Sequence, residues 1–408
     1  MNTSTPAGRK RLALMLALLV AVMPFSIDAY LPAMPQMAAA LGADIHQIEQ
    51  SLSVFLLGVA LGQLVGGPVS DLKGRRKVAL FGLAVYVMAT TALLWTDTVA
   101  HLLLWRGVQA LGGGMATVTV AALVRDRFGG REAAQMFALI GIIMMAAPLA
   151  APMLGALLKN LGGWRAIFVF LALYAAAVAL LLYWRMPVDA QPPRPLGRDF
   201  VPAIAANYAR VFRQPQALGF LFFQAFSFSS MFVFLTESSF VYMQLYGLSA
   251  HQYAWAFGAN IITMMLFNRI TAWRLRRSDA HRILLSGVAV QFACNLALCV
   301  LVWLWPLPPF ALLLALLMTS VGTQGLIVAN TQACYMSYFK AEGGSANAVL
   351  GTLQFLIAAA VGWLTTQAHN GTAQVMPLMM LSATVCGMAL LWLFSRRVWL
   401  SRPDNAFN

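Results

Sequence analysis

Charged residues are scarce in this sequence of 408 residues. Asp, Glu, Lys and Arg together make up 10% of it, whereas soluble domains carry about 25%. Hydrophobic residues make up 61%, which excludes a water-soluble globular fold. The apolar residues come in blocks of roughly 20, the length at which a helix crosses a hydrocarbon core of about 30 Å.

Cysteine is also rare. The four cysteines lie inside apolar blocks, without the spacing of metal ligands: Cys294, Cys299, Cys334 and Cys386. We interpret them as small buried apolar side chains and predict neither a disulfide framework nor a metal site. No arrangement of a nucleophile with a base stands out either, so the sequence does not indicate an enzyme.

Twelve apolar blocks predict twelve transmembrane helices and therefore an all-α polytopic membrane protein. They lie near residues 12–34, 49–70, 78–96, 99–123, 133–158, 166–185, 217–245, 250–272, 282–304, 307–336, 344–368 and 374–395. The first block is long for the core of a cleaved signal and leads into further spans, so we interpret it as a membrane helix.

The net charge of +14 is explained by topology. Most of the 27 basic residues fall in the N-terminal tail and in every second connection. This pattern obeys the positive-inside rule and predicts that both termini lie in the cytoplasm. A nucleic-acid partner is not needed to account for the charge.

One long hydrophilic connection divides the spans six and six. We predict an N-terminal six-helix bundle over residues 1–185, a cytoplasmic linker rich in Pro and Arg over 186–216, and a C-terminal six-helix bundle over 217–408. Such a division is typical of transporters whose substrate site lies between two bundles, near the middle of the membrane.

Three ionisable residues lie well inside predicted spans. Of the thirteen acids, eleven fall in loops or at span ends, which leaves Asp28 and Glu237, and Arg106 is the one base in such a position. A charge at the bilayer centre costs roughly 2.5–3.5 kcal/mol on insertion scales. Each of the three lies about six to eight residues from the outer end of its span. At about 1.5 Å per residue, all three are roughly 9–12 Å below the outer boundary of the membrane.

A carboxyl group in such a place can carry a proton. Burial favours its protonated form and a neighbouring cation favours its ionised form, so proton and cation compete for the site. We therefore predict proton coupling by Asp28, Arg106 and Glu237. The structural alternatives stay open: a solvated acid at a span end for Asp28, and an ion pair that holds two helices together for Arg106.

A wall for an apolar substrate is predicted on the seventh span. Phe226, Ser230 and Phe234 recur there at helical spacing with Glu237. On the tenth span, Thr323 and Asn330 lie seven residues apart on one face. Packing between helices is the alternative for all five, because buried polar residues in membranes often bond to neighbouring helices.

The loop "GGPVSDLKGRRK" follows the second span. Gly74 permits a turn that is closed to most side chains, and Asp71 lies four residues before Arg75, a spacing that favours an ion pair. The pattern Gly67-x-x-x-Asp71-x-x-Gly74-Arg75-Arg76 resembles the loop 2–3 motif of the major facilitator superfamily.

Two further stretches carry the same resemblance. "LLLWRGVQALGGG" is similar to the fourth-helix motif, with Arg106 and Gln109 in place. "GIIMMAAPLAAPMLGA" is similar to the fifth-helix antiporter motif at Gly141, Pro148, Pro152 and Gly155, although Ala151 and Ala156 replace glycines. Together with "IDAYLPAMP" on the first span, the chain resembles the bicyclomycin/chloramphenicol-resistance (Bcr/CflA) subfamily of drug:proton antiporters.

The resemblance implies proton-driven export of drug-like compounds by alternating access, with no cofactor. Under it Asp28 and Arg106 form the proton-linked pair, and Asp71 with Arg75 forms a gate. Tyr30 and Gln109 join the substrate cavity, and the Pro152 segment limits leak. Drug, protons and lipid are the expected partners of a monomer. Two alternatives remain: a proton symporter that imports a metabolite, and a membrane-embedded enzyme or receptor.

Overall fold

The computed structural model describes residues 6–186, 202, 208–339 and 343–400, and the regular structure of these residues is entirely helical. We label the main helices α1 Pro6–Asp28, α2 Met34–Ala40, α3 Ile45–Lys73, α4 Arg75–Ala92, α5 Val99–Arg127, α6 Gly130–Arg185, α7 Pro215–Ser239, α8 Ala250–Arg274, α9 Ala280–Leu304, α10 Phe310–Gly322, α11 Gln324–Met336, α12 Gly343–Gln367 and α13 Val375–Leu400. The predicted all-α polytopic fold is confirmed.

Within the described residues, ten helices are long and apolar enough to cross a membrane. One of them, Gln135–Arg185, has 51 residues and would be about 77 Å long as a single rod, too long for one crossing. Its backbone leaves the helical region at Gly162 and Gly163, where Gly163 has φ 71°, so it comprises two spans. Helix α8 is not among these ten, because polar residues such as Asn260 and Asn268 lower its mean hydropathy. With these two additions, the described part of the chain contains twelve segments of crossing length.

The described residues form two compact units. One unit consists of those in Met1–Arg198 together with Gly247–Gly258, and the other of those in Asp199–Tyr246 and Ala259–Asn408. The first turns of α8 thus group with the first unit, whereas the sequence analysis assigned them to the second bundle. Most of the predicted linker, 187–201 and 203–207, lies outside the described residues.

Small residues bring helices close together in the first unit. Gly58, Gly62 and Gly66 form a stripe on α3, and a Cβ atom at Gly66 would meet the Cα atom of Met115 on α5 at 2.7 Å. Stripes of small residues allow membrane helices to pack backbone to backbone. An apolar cluster fills the rest of this unit, with fully buried side chains such as Leu16 and Tyr86.

The first span is not a continuous rod. Its helix α1 ends at Asp28, a 3₁₀ turn follows at Leu31–Ala33, and α2 continues the chain to Ala40. Pro24 inside α1 and Pro32 in the turn remove backbone donors, which favours a break here. Asp28 is the last helical residue before this break.

A buried polar network joins four helices of the second unit. Asn295 on α9 donates to Ser230 on α7 (3.1 Å) and to Thr384 on α13 (2.9 Å), and accepts from Ser320 on α10. Near it, the tenth span changes from α10 to α11 at Thr323.

The four cysteines are free. Cys386 on α13 is exposed, so the prediction that it is buried is wrong.

Candidate functional site

Asp28 is buried, with 4% of its surface exposed, at the last residue of α1. Among the described residues its carboxyl group has no hydrogen bond or ion pair. The end of a helix carries a partial negative charge, which is unfavourable for an anion. An unpaired, desolvated carboxylate is also costly. Both features oppose a negative charge on Asp28 in this conformation.

Arg106 on α5 is fully buried and contacts the first span without pairing with Asp28. Its Nη2 atom donates to the backbone oxygen of Ser26 (3.0 Å), and its Nη1 atom donates to Oε1 of Gln109 (2.6 Å). Gln109 in turn donates to Thr90 (2.8 Å). The predicted pairing of Asp28 with Arg106 is therefore not present in this conformation.

Two aromatic rings complete the surroundings of Arg106. The Cζ atom of Arg106 lies 4.4 Å from the ring centre of Tyr30 and 4.2 Å from that of Phe55. Tyr30 is fully buried and its hydroxyl bonds to Ser51 (2.9 Å). Rings placed in this way attract a guanidinium group. Tyr30 and Gln109 thus support Arg106 in the interior of this unit, and their predicted contact with substrate stays a prediction.

A second acid in the first unit escaped the sequence analysis. Glu49 was counted among acids at span ends, yet it is fully buried and its Oε2 atom lies 2.7 Å from Nδ1 of His46. Asp44 and Gln47 cap α3 reciprocally, so the helix begins at Ile45 and Glu49 lies inside it. A capping-box pattern before the apolar run is the signal that predicts this start.

The loop between α3 and α4 contains the predicted ion pair. Gly74 has φ 99°, a conformation that other residues rarely adopt. Arg75 pairs with Asp71 and also with Oδ2 of Asp126 at the end of α5 (3.0 Å). Its Nη1 atom donates to Ser70 (2.6 Å). Asp126, which the sequence analysis missed, ties the loop to a third helix.

The other residues of the loop motif have separate contacts. Arg76 donates to the backbone oxygen of Tyr183 on α6 and lies 5.7 Å from the ring centre of the same residue. Gly67 is half-buried and its carbonyl accepts from Ser70 (2.7 Å). The gating role of all these residues stays a prediction.

We expect Arg75 and Asp126 to be energetically coupled. Arg75 is largely buried and bonds to two acids, so Arg75→Gln should destabilise the protein more than Asp126→Asn does. Exposed pairs contribute about 0.2–1 kcal/mol, and we expect a coupling energy near the upper end of this range. A double-mutant cycle of thermal unfolding in detergent measures it.

Arg76→Gln paired with Asp126→Asn is the matched control for this cycle, because Arg76 is the next residue of the loop and donates to the backbone oxygen of Tyr183 on α6. Additive effects of Arg75→Gln and Asp126→Asn would contradict the proposed link to α5.

The antiporter-like motif on α6 meets the break in the first span. A Cβ atom added at Gly155 would overlap the backbone oxygen of Ala29, the residue after Asp28. Pro148 and Pro152 lie inside the helix. Gly141, at the start of the motif, has no neighbour within 4 Å of such a Cβ atom. Of the two glycines, only Gly155 is required by close packing.

Glu237 is fully buried in the second unit, on α7. Its Oε2 atom lies 3.4 Å from Nδ1 of His369, in the connection between α12 and α13. The chain continues from α7 into a π-helical turn, Phe240–Leu245, and the ring of Phe240 meets His369 edge-on, with centres 4.5 Å apart. Single turns of this kind are frequent at functional sites. As a lone histidine in a loop, His369 gave no signal in the sequence.

The structure places most of the predicted substrate wall in the interior of the second unit. Ser230, Phe234, Thr323 and Asn330 are almost fully buried. Ser230 bonds to Asn295, as described above, and Asn330 donates to the backbone oxygen of Leu326 (2.7 Å). Phe226 is half-buried and packs beside Gly387 on α13. These contacts favour packing between helices, the structural alternative that the sequence analysis gave for these residues.

Comparison with known proteins gives a consistent result. The family model described as Major Facilitator Superfamily matches residues 16–363. The bicyclomycin resistance protein homolog of Haemophilus influenzae is 29% identical over 395 residues, which cover 95% of this chain and 97% of that protein. The multidrug resistance protein MdtL of Shigella flexneri is 25% identical over 91% of this chain and 93% of its own length.

A chloramphenicol resistance protein of Pseudomonas aeruginosa is 40% identical over 161 residues, which cover 39% of this chain and 38% of that protein. Among solved structures, a D-xylose-proton symporter superposes with a TM-score of 0.72 over 95% of this chain and 97% of its own, at 14% identity. This likeness concerns the fold alone.

Proposed function

Because the chain belongs to the major facilitator superfamily, we propose that it exports drug-like small molecules in exchange for protons. The similarity to resistance proteins along nearly the whole chain supports the drug class. The observation that carries the coupling is Asp28, a buried carboxyl group without a partner among the described residues, two residues after the backbone oxygen that accepts a hydrogen bond from Arg106.

In the proposed mechanism Asp28 is neutral in the present conformation. Loss of its proton creates a buried anion at the end of α1, two residues after Ser26, whose backbone oxygen accepts a hydrogen bond from Arg106. The Ser26 carbonyl group, Gln109 and the two rings hold Arg106 by interactions that are weaker than a buried ion pair. Proton loss therefore changes the contacts between α5 and the first span, and this change drives the conformational cycle.

The proton gradient supplies the energy, and we propose no cofactor. One elementary charge that crosses the membrane gains about 2.3 kcal/mol per 100 mV. The distribution of basic residues supports cytoplasmic termini, and the similarity to bacterial resistance proteins supports an inner-membrane location. We further propose that the protein works as a monomer and that Asp71, Arg75 and Asp126 form a gate that changes during alternating access.

Transport in everted inner-membrane vesicles tests this function. With the vesicle interior made acidic, an antiporter accumulates radiolabelled chloramphenicol inside the vesicle and loses the accumulation when an uncoupler is added. Vesicles without the protein serve as the control. Accumulation driven by the opposite gradient would indicate the symporter instead, and the absence of any proton-dependent movement of the drug would refute coupling.

We expect Glu237→Gln to reduce transport of cations selectively. Interactions with a charged group contribute about 1.5–3 kcal/mol, so the affinity for ethidium should fall about tenfold or more. Neutral chloramphenicol should be transported as by the wild type. Dose–response curves in cells that produce each variant compare resistance to ethidium with resistance to chloramphenicol. Glu49→Gln, which also removes the charge of a buried acid, is the matched control. An equal loss for both drugs would contradict a role of Glu237 in recognising charge.

A further inference from the structure

One side of α7 carries a row of side chains that are neither interior nor lipid-facing. Phe228, Met231 and Leu235 recur at helical spacing and are half-buried. Elsewhere in this unit the apolar side chains on the outer surface are far more exposed, for example Leu304 at 82% and Trp303 at 61%. None of the strongly exposed large apolar residues in the described chain lies on α7. The row is therefore not part of a lipid-facing stripe.

Two residues of α12 extend this row. Gln354 and Phe355 are half-buried. Gln224 on α7 donates to Oε1 of Gln354 at 3.4 Å, and the rings of Phe228 and Phe355 meet edge-to-face, with centres 5.7 Å apart. We call Gln224, Phe228, Met231, Gln354 and Phe355 the α7–α12 face. It combines an aromatic pair with an amide pair and contains no charged side chain.

The amide of Gln224 is only half satisfied. The residue is 2% exposed, and within the described part of the chain its Oε1 atom has no hydrogen-bond partner. A buried acceptor without a donor is unfavourable, and donors are normally present at such positions. Oε1 of Gln224 can therefore accept a hydrogen bond from an N–H or O–H group.

We propose that the α7–α12 face is a substrate subsite for neutral molecules that combine a planar ring with a hydrogen-bond donor. The ring packs against Phe228 and Phe355, because aromatic rings favour edge and offset contacts with one another. The donor group bonds to Oε1 of Gln224. This inference rests on the proposed export function and specifies its substrate class. It assigns recognition to a different side of α7 from the row of Phe226, Ser230 and Phe234.

Direct binding to the purified full-length protein in nanodiscs tests the subsite. Chloramphenicol is the probe, since it is neutral and carries a nitrophenyl ring, an amide N–H group and hydroxyl groups. We expect Phe228→Leu and Phe355→Leu each to weaken its binding about threefold to tenfold, and Gln224→Leu to weaken it about tenfold. Phe228→Trp keeps an aromatic face and should retain most of the affinity.

Phe226→Leu is the matched control, because this neighbouring phenylalanine is also half-buried but packs beside Gly387 on α13. Equal losses for Phe226→Leu and Phe228→Leu, or no binding of chloramphenicol by the wild type, would overturn the proposal. Size-exclusion profiles and melting temperatures confirm that each variant is folded. The assay uses no proton gradient. A failure of vesicle transport with this binding pattern intact would refute the export function and leave the subsite standing.

Discussion

Asp28→Asn is expected to reduce drug accumulation driven by a pH gradient to the level of vesicles that lack the protein. Asparagine has nearly the shape of a protonated aspartic acid but has no proton to release. Substrate binding and the exchange of labelled for unlabelled drug should persist, because neither requires net proton movement. Parallel measurement of driven uptake and of exchange in everted vesicles separates these two activities.

Glu49→Gln is the matched control for Asp28→Asn. Glu49 is another fully buried acid of the same unit, but His46 lies 2.7 Å from it, whereas Asp28 has no partner among the described residues. We expect driven accumulation to survive in this variant. Accumulation that persists in Asp28→Asn, or is lost equally in both variants, would place proton coupling elsewhere.

The helical spans were predictable because a membrane imposes local rules. Each span must satisfy its own backbone hydrogen bonds, so apolar blocks of sufficient length become helices. The loop motif was predictable for a similar reason: Asp71 and Arg75 are four residues apart, and Gly74 supplies a turn that others disfavour. Asn260 and Asn268 lower the mean hydropathy of α8, but the rest of that block is apolar enough for the sequence to predict a span there.

The contacts of the candidate site were not predictable in the same way. Helical spacing showed that Ser230 and Phe234 share a side of α7, but it does not show what that side meets. Ser230 bonds to Asn295, 65 residues later in the chain. The partners of Arg106 likewise come from other helices, Tyr30 from the first span and Phe55 from α3. Depth in the membrane suggested that Asp28 and Arg106 were close, but it did not distinguish contact with Ser26 from pairing with Asp28.

Gly155→Ala is expected to abolish export by disturbing the break at which Asp28 lies. A methyl group at this position would overlap the backbone oxygen of Ala29, and both residues are buried. Backbone atoms cannot rotate away as a flexible side chain does, so α6 and the first span must separate. Overpacking typically costs about 1–3 kcal/mol, and we expect a lower melting temperature together with the loss of drug resistance.

Gly141→Ala provides a control in the same helix and the same motif, since a Cβ atom there has no neighbour within 4 Å. The substitution replaces glycine by the best helix former, so stability should be unchanged or slightly higher and resistance should remain. If the glycines acted only through the flexibility of α6, both variants would lose activity alike. A loss confined to Gly155→Ala would instead show that the close contact of α6 with the backbone beside Asp28 is what transport requires.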